Sequence, residues 1–140
     1  MKNPYDDARS YLIDAGFIAL YYSGNERAKF YFNRIVSGKA KGIISEVNLA
    51  EFYYKTGQQK GIDTAEVWYR QIRQGRFLIV STDEEITRLA GKWKVRRNDL
   101  SLADCFALAT LTRRADVLLT TDSILASADG LRSVHVSPNE

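Results

Sequence analysis

The sequence predicts an α/β domain: a central, mainly parallel sheet of about five strands with helices on both faces. Three observations point there. Short apolar runs rich in Ile, Leu and Val alternate with helix-length segments from Tyr11 to Val136. No repeat or low-complexity tract interrupts them, and the two prolines, Pro4 and Pro138, lie near the ends. A chain of 140 residues has the usual size of one domain, so 1–140 is read as a single unit able to bury one core.

Taken in order, Tyr11-Leu12-Ile13 reads as a short buried strand, followed by a helix-like stretch from Phe17 and another over Arg27–Val36. Gly42-Ile43-Ile44 is a second strand. Helical patterns follow over Glu46–Thr56 and Thr64–Arg73, separated by Gly57 and Gly61. Phe77-Leu78-Ile79-Val80 is the clearest strand. Ser81-Thr82 before Asp83-Glu84-Glu85 gives a capped, acid-rich start to a helix that runs to about Arg97. Ser101–Arg114 is a further helix, Val117-Leu118-Leu119 a fourth strand and Val134-His135-Val136 a fifth.

Composition excludes several chemistries. Cys105 is the single cysteine and His135 the single histidine, so an internal disulfide, a cysteine-based zinc site and a histidine-rich metal centre are all ruled out. Met1 to Ser10 is polar, and Asp14 interrupts the apolar stretch Tyr11–Leu20, so a cytoplasmic protein without a membrane span is expected. The net charge of +3 is mild. If four acids are set aside for a metal, 20 basic residues face 13 acids, a surplus that suits a polyanionic substrate.

In open parallel sheets, ligands bind outside the carboxyl ends of the strands. Asp14 follows the first strand and Asp122 the fourth, which places both at one rim. Apolar neighbours flank Asp14 and offer its charge little solvated surface, a costly position unless it is paired or binds metal. Asp122 is equally readable as a loop starter and helix cap. Asp104 is the lone acid near the start of a helix apolar on nearly every face, although Ser101 and Asp104 also have capping-box spacing. Glu51 lies among Leu49, Ala50, Phe52 and Tyr53; alternatively it is an exposed i,i+4 partner of Lys55.

The segments YLIDAGFIALYY, IISEVNLAEFYYK, LSLADCFALAT and VLLTTDS stand in the order and at roughly the spacing of PIN-domain motifs. From about Tyr11 to Val136, the chain resembles the compact VapC-type nucleases of toxin–antitoxin pairs. The resemblance implies that Asp14, Glu51, Asp104 and Asp122 are the catalytic, metal-ligating acids, with Thr120 supporting them by hydrogen bonding. It further implies an RNA substrate, a cognate antitoxin and a homodimer.

A carboxylate set without histidine or cysteine favours one or two Mg²⁺ or Mn²⁺ ions. One ion would activate water for attack on a phosphodiester; a second, roughly 3.5–4 Å away, would stabilise the leaving oxygen. The sequence departs from the family at Ala15-Gly16, where a Thr or Ser usually follows the first aspartate.

Weaker candidates remain. Lys92, Lys94, Arg96 and Arg97, around Trp93, offer either an RNA-tracking stretch or a solvated helix face with Trp93 in the core. Tyr53, Tyr54, Trp68 and Tyr69 suit a dimer or antitoxin groove, or else core packing. Two other functions compete: a PIN-like scaffold that binds RNA or protein without cutting, and a receiver-like phosphotransfer domain. A haloacid-dehalogenase-type phosphatase needs an aspartate where Gly16 stands, and the third strand runs through Val80-Ser81-Thr82 before reaching Asp83.

Overall fold

The structure is a computed structural model, and it describes residues 3–139. Five strands form one sheet: β1 (Ser10–Ile13), β2 (Lys41–Ser45), β3 (Phe77–Val80), β4 (Val117–Thr120) and β5 (Ser133–His135). Their order is β3-β2-β1-β4-β5, and every pairing is parallel. The helices are α1 (Ala15–Tyr22), α2 (Glu26–Val36), α3 (Glu46–Lys60), α4 (Ile62–Gln74), α5 (Glu84–Arg96), α6 (Leu102–Arg114) and α7 (Ser123–Ala126).

Side-chain alternation divides the core between the two faces. Tyr11, Ile13, Ile44, Val117 and Leu119 join α1–α4 in one cluster. Leu12, Ile43 and Leu118 point the other way, into a cluster with α5, α6 and the Leu125 end of α7. Tyr11, Leu12 and Ile13 are all fully buried. A strand enclosed on both faces must be apolar at every position, which is why these runs do not alternate with polar residues. Burying each such large side chain contributes roughly 1.5–3 kcal/mol.

Two local readings need revision. Helix α3 passes through Gly57 and ends only at Gly61, whose φ of +96° stops it. A glycine inside a helix costs about 1 kcal/mol, and here the backbone bond from Gly61 N–H to the Gly57 carbonyl (3.0 Å) completes the last turn. The short helix α7 carries too few residues to show a helical period, so nothing in the sequence marks it as a separate element.

The topology defines a switch point. From β1 the chain builds outward through β2 and β3, then returns to add β4 on the opposite side of β1. Ile13 is in register with Leu119, and the Asp14 N–H donates to the Leu119 carbonyl at 3.2 Å. The carboxyl ends of β1 and β4 therefore meet at one rim, where connections leave in opposite directions and open a crevice.

Candidate active site

Asp14 is the first residue past β1 and the N-cap of α1. Its Oδ1 accepts the Phe17 N–H at 2.8 Å, satisfying a free donor of the first helical turn. The residue is only 6% exposed. Burial pushes its carboxyl up from 3.8 to about 7, and the negative charges of Asp104 and Glu51 add to the rise; hydrogen bonds from the Thr120 hydroxyl and the Phe17 N–H oppose it.

Thr120 ends β4 and is fully buried. Its hydroxyl donates to the Asp14 carboxylate and accepts the Asp122 N–H at 2.9 Å. One side chain thus ties the first acid to the backbone of the last. Asp122 Oδ1 caps α7, accepting from the N–H groups of Ile124 (2.8 Å) and Leu125 (3.3 Å).

Asp104 sits in the first turn of α6. Ser101 Oγ accepts the Asp104 N–H at 3.1 Å, while the Asp104 carboxylate accepts from the Ser101 hydroxyl and backbone N–H, forming a reciprocal capping box. Its pKa is nevertheless raised, first by burial and then by Asp122 and Glu51. Glu51 Oε2 pairs with Lys55 Nζ at 3.0 Å. Glu51 holds Lys55 in its protonated form and raises its pKa, with a smaller contribution from Asp104. The capping box and the helical ion pair both exist. Neither removes its acid from the field of the others.

The four acids share a rim but not a tight cage. Among the described residues, no three Asp, Glu, His or Cys side chains converge closely enough to hold an ion by themselves. The donor set still fits a hard divalent cation: it is all oxygen, and Asp14 is buried against two like charges with no ion-pair partner among the described residues. Mg²⁺ keeps several waters and commonly takes only one or two carboxylates directly, so dispersed acids suit it better than a compact ion site would.

A PIN-domain family model matches residues 11–131, which takes in all four acids. The chain belongs to the PIN-domain family. Comparison with curated protein sequences gives no match. Solved structures resemble this PIN domain at low identity. The sarcin-ricin loop cleaving toxin VapC20 of Mycobacterium tuberculosis aligns with a TM-score of 0.71 at 17% identity, covering 90% of this chain and 98% of that one. DNA-bound VapBC from Salmonella typhimurium gives 0.73 at 15%, covering 91% and 98%. PAE2754 from Pyrobaculum aerophilum gives 0.60 at 21%, covering 91% and 92%.

The other predicted positions of the PIN domain fall elsewhere. Lys94 Nζ donates to the carbonyls of Asn98 (3.0 Å) and Leu100 (2.6 Å), and Arg97 forks onto Asp99 with two bonds of 2.9 Å. Trp93 is buried, with the Arg96 guanidinium 4.4 Å from its ring centre, so that ring is not open to a base. Lys92 is exposed. Trp68 stacks on Tyr22 at 4.3 Å, Tyr53 donates to Glu66, and Tyr54 faces solvent. Cys105 is buried, as a small core residue should be. No helix among the described residues is long and apolar enough to cross a membrane.

Three features of this PIN domain were not read from sequence. Asn48 is fully buried; its Nδ2 donates to the Ala103 carbonyl at 3.3 Å, joining α3 to the turn that carries Asp104, while its Oδ1 has no partner among the described residues. A groove of about 680 Å³ is lined by Gly16 and Thr121 from the rim together with Tyr22, Gln59, Lys60 and Trp68. The third is Thr121 itself, against Gly16. Each depends on residues far apart in the chain, and only the polar Asn48 within an apolar helix face offered any local signal.

Proposed function

We propose that this PIN domain is a Mg²⁺- or Mn²⁺-dependent endoribonuclease that cleaves RNA phosphodiester bonds, with Asp14, Glu51, Asp104 and Asp122 as its catalytic, metal-holding acids. The observation that carries this reading is Asp14: a buried carboxylate at the switch point, facing the charges of Asp104 and Glu51 with only neutral donors bonded to it. Such an arrangement is costly alone and stable around a cation. A bound divalent ion would supply the positive charge that offsets the acids and polarises a water for attack on phosphorus.

The chain's own groups divide the remaining work. Asp14 is fixed in direction by the Phe17 N–H and the Thr120 hydroxyl. Asp104 and Asp122 are held by the starts of α6 and α7. Glu51 sits between the acidic rim and Lys55, a cation placed to meet a phosphate as it approaches. The groove gives an RNA strand a path to the rim, with Lys60 along it.

The VapBC and FitAB structures that share this fold were solved as complexes, some on DNA. That supports a toxin role here, with a cognate antitoxin as partner; the same reading takes the protein as homodimeric and cytoplasmic. Under this reading the whole of 1–140 works as one nuclease unit.

Incubation of the purified protein with labelled structured RNAs in Mg²⁺, Mn²⁺ or EDTA tests the activity. Internal cleavage that EDTA abolishes, and that Asp14→Asn and Asp104→Asn each eliminate, is the expected result. Cleavage unchanged by EDTA or by both substitutions would sink the reading. Metal-independent binding without cleavage would replace it with the scaffold function.

A further inference from the structure

The space beside Gly16 is filled from the neighbouring strand. A Cβ placed on Gly16 would lie 2.4 Å from Thr121 Oγ1 and 3.7 Å from both Thr121 Cβ and Asp14 Oδ1. The Thr121 hydroxyl therefore stands where a side chain at position 16 would begin, bordering the same small space as the Asp14 carboxylate. Glycine admits it there without adjustment: a Cβ at position 16 would force that oxygen to move, since real Cβ atoms essentially never show such a separation.

The backbone at Thr121 is anchored from both sides along the chain. Thr120 before it is anchored between Asp14 and Asp122. Its own carbonyl accepts from His135 Nε2 at 3.1 Å, with that nitrogen carrying the proton. Thr121 is half-buried and lines the groove, and its hydroxyl has no hydrogen-bond partner among the described residues. An unpaired hydroxyl beside a buried carboxylate has donor and acceptor capacity free for whatever that carboxylate binds.

We propose that Thr121 is a positioning residue for Asp14: its hydroxyl, delivered from the end of β4 into the notch left by Gly16, hydrogen-bonds the hydration layer on the carboxylate's outer side and so sets how Asp14 meets a divalent cation. Gly16 and Thr121 form one functional pair, and that pair provides a hydroxyl where Ala15-Gly16 have none. This rests on the reading of the acids as a cation site.

Mn²⁺ affinity, measured by calorimetry on the full chain at fixed pH, tests it independently of cleavage. Outer hydrogen bonds to metal-binding groups typically change affinity about 10-fold or more. Thr121→Val keeps the side-chain shape and should lose about that factor, whereas Thr121→Ser should retain wild-type affinity. Gly16→Ser alone should turn the Thr121 hydroxyl out of the notch. Gly16→Ser with Thr121→Ala returns a hydroxyl to the notch from the other side, and should bind Mn²⁺ more tightly than Thr121→Ala alone. Wild-type affinity in Thr121→Val, or no recovery in the double variant, overturns the pairing while leaving the cation site standing. Absence of Mn²⁺ binding in the wild-type protein overturns the cation site, and the pairing with it.

Discussion

The rim between β1 and β4 and the basic end of α5 both concentrate charged side chains, under opposite conditions. At the end of α5, Lys94 holds two backbone carbonyls, Arg97 is matched by Asp99, and Arg96 lies over Trp93. Those charges are spent on finishing a helix and covering a ring. At the rim, Asp14 is buried, meets further negative charge and receives only neutral hydrogen bonds. A charge already matched contributes locally to structure. A charge left unmatched in a crevice is maintained against its own cost, which marks a binding site more reliably than charge density does.

The largest effect expected from this contrast concerns Asp14 in metal-free protein. Its folded pKa is raised from 3.8 to about 7, so its contribution to stability is fully present below about pH 4 and is lost as pH rises through 7. Unfolding by urea in EDTA should therefore show a loss of up to about 4 kcal/mol between those limits. Asp14→Asn retains an effective N-cap and should flatten that loss. Added Mg²⁺ at pH 8 should restore stability to the wild type but not to the variant. A wild-type profile equally flat in EDTA would mean that Asp14 carries no unmatched charge.

Next in size is Thr120→Val. This nearly isosteric change removes the hydroxyl that donates to Asp14 and accepts from Asp122 N–H, leaving a half-buried donor unmatched at up to about 1–3 kcal/mol. It should also weaken Mn²⁺ binding, because both acids lose a shared anchor. A stability loss without change in Mn²⁺ affinity would confine Thr120 to a structural role.

The same contrast explains what the sequence made legible. β1 and β4 are visible because strands covered on both faces must be continuously apolar, and the acids that end them stand out against that background. Glu51 and Asp104 have ordinary helical explanations that also prove true, so only the field they share with Asp14 distinguishes them, and that field exists only after folding. The placement of Thr121 against Gly16, and of Asn48 against Ala103, joins positions separated by long stretches of chain. Periodicity carries no information about such pairs. The basic segment shows the converse: Lys94 looks as available in sequence as Lys92, Arg96 and Arg97, because the carbonyls of Asn98 and Leu100 that occupy it are invisible there.

The smallest effect sharpens the other side of the comparison. Lys94→Met keeps the aliphatic stem but leaves the Asn98 and Leu100 carbonyls without their ammonium donor. It should cost about 1–2 kcal/mol, as charge-assisted bonds near a surface do. RNA affinity should remain close to wild type, because the lysine's hydrogen bonds already go to the protein. Filter binding of a catalytically dead Asp14→Asn background, with and without Lys94→Met, separates these contributions. A fall of 10-fold or more in RNA affinity, steeper at low salt, would show that Lys94 exchanges its carbonyls for phosphates on binding. The end of α5 would then hold its charges in reserve, and its difference from the rim would be one of timing.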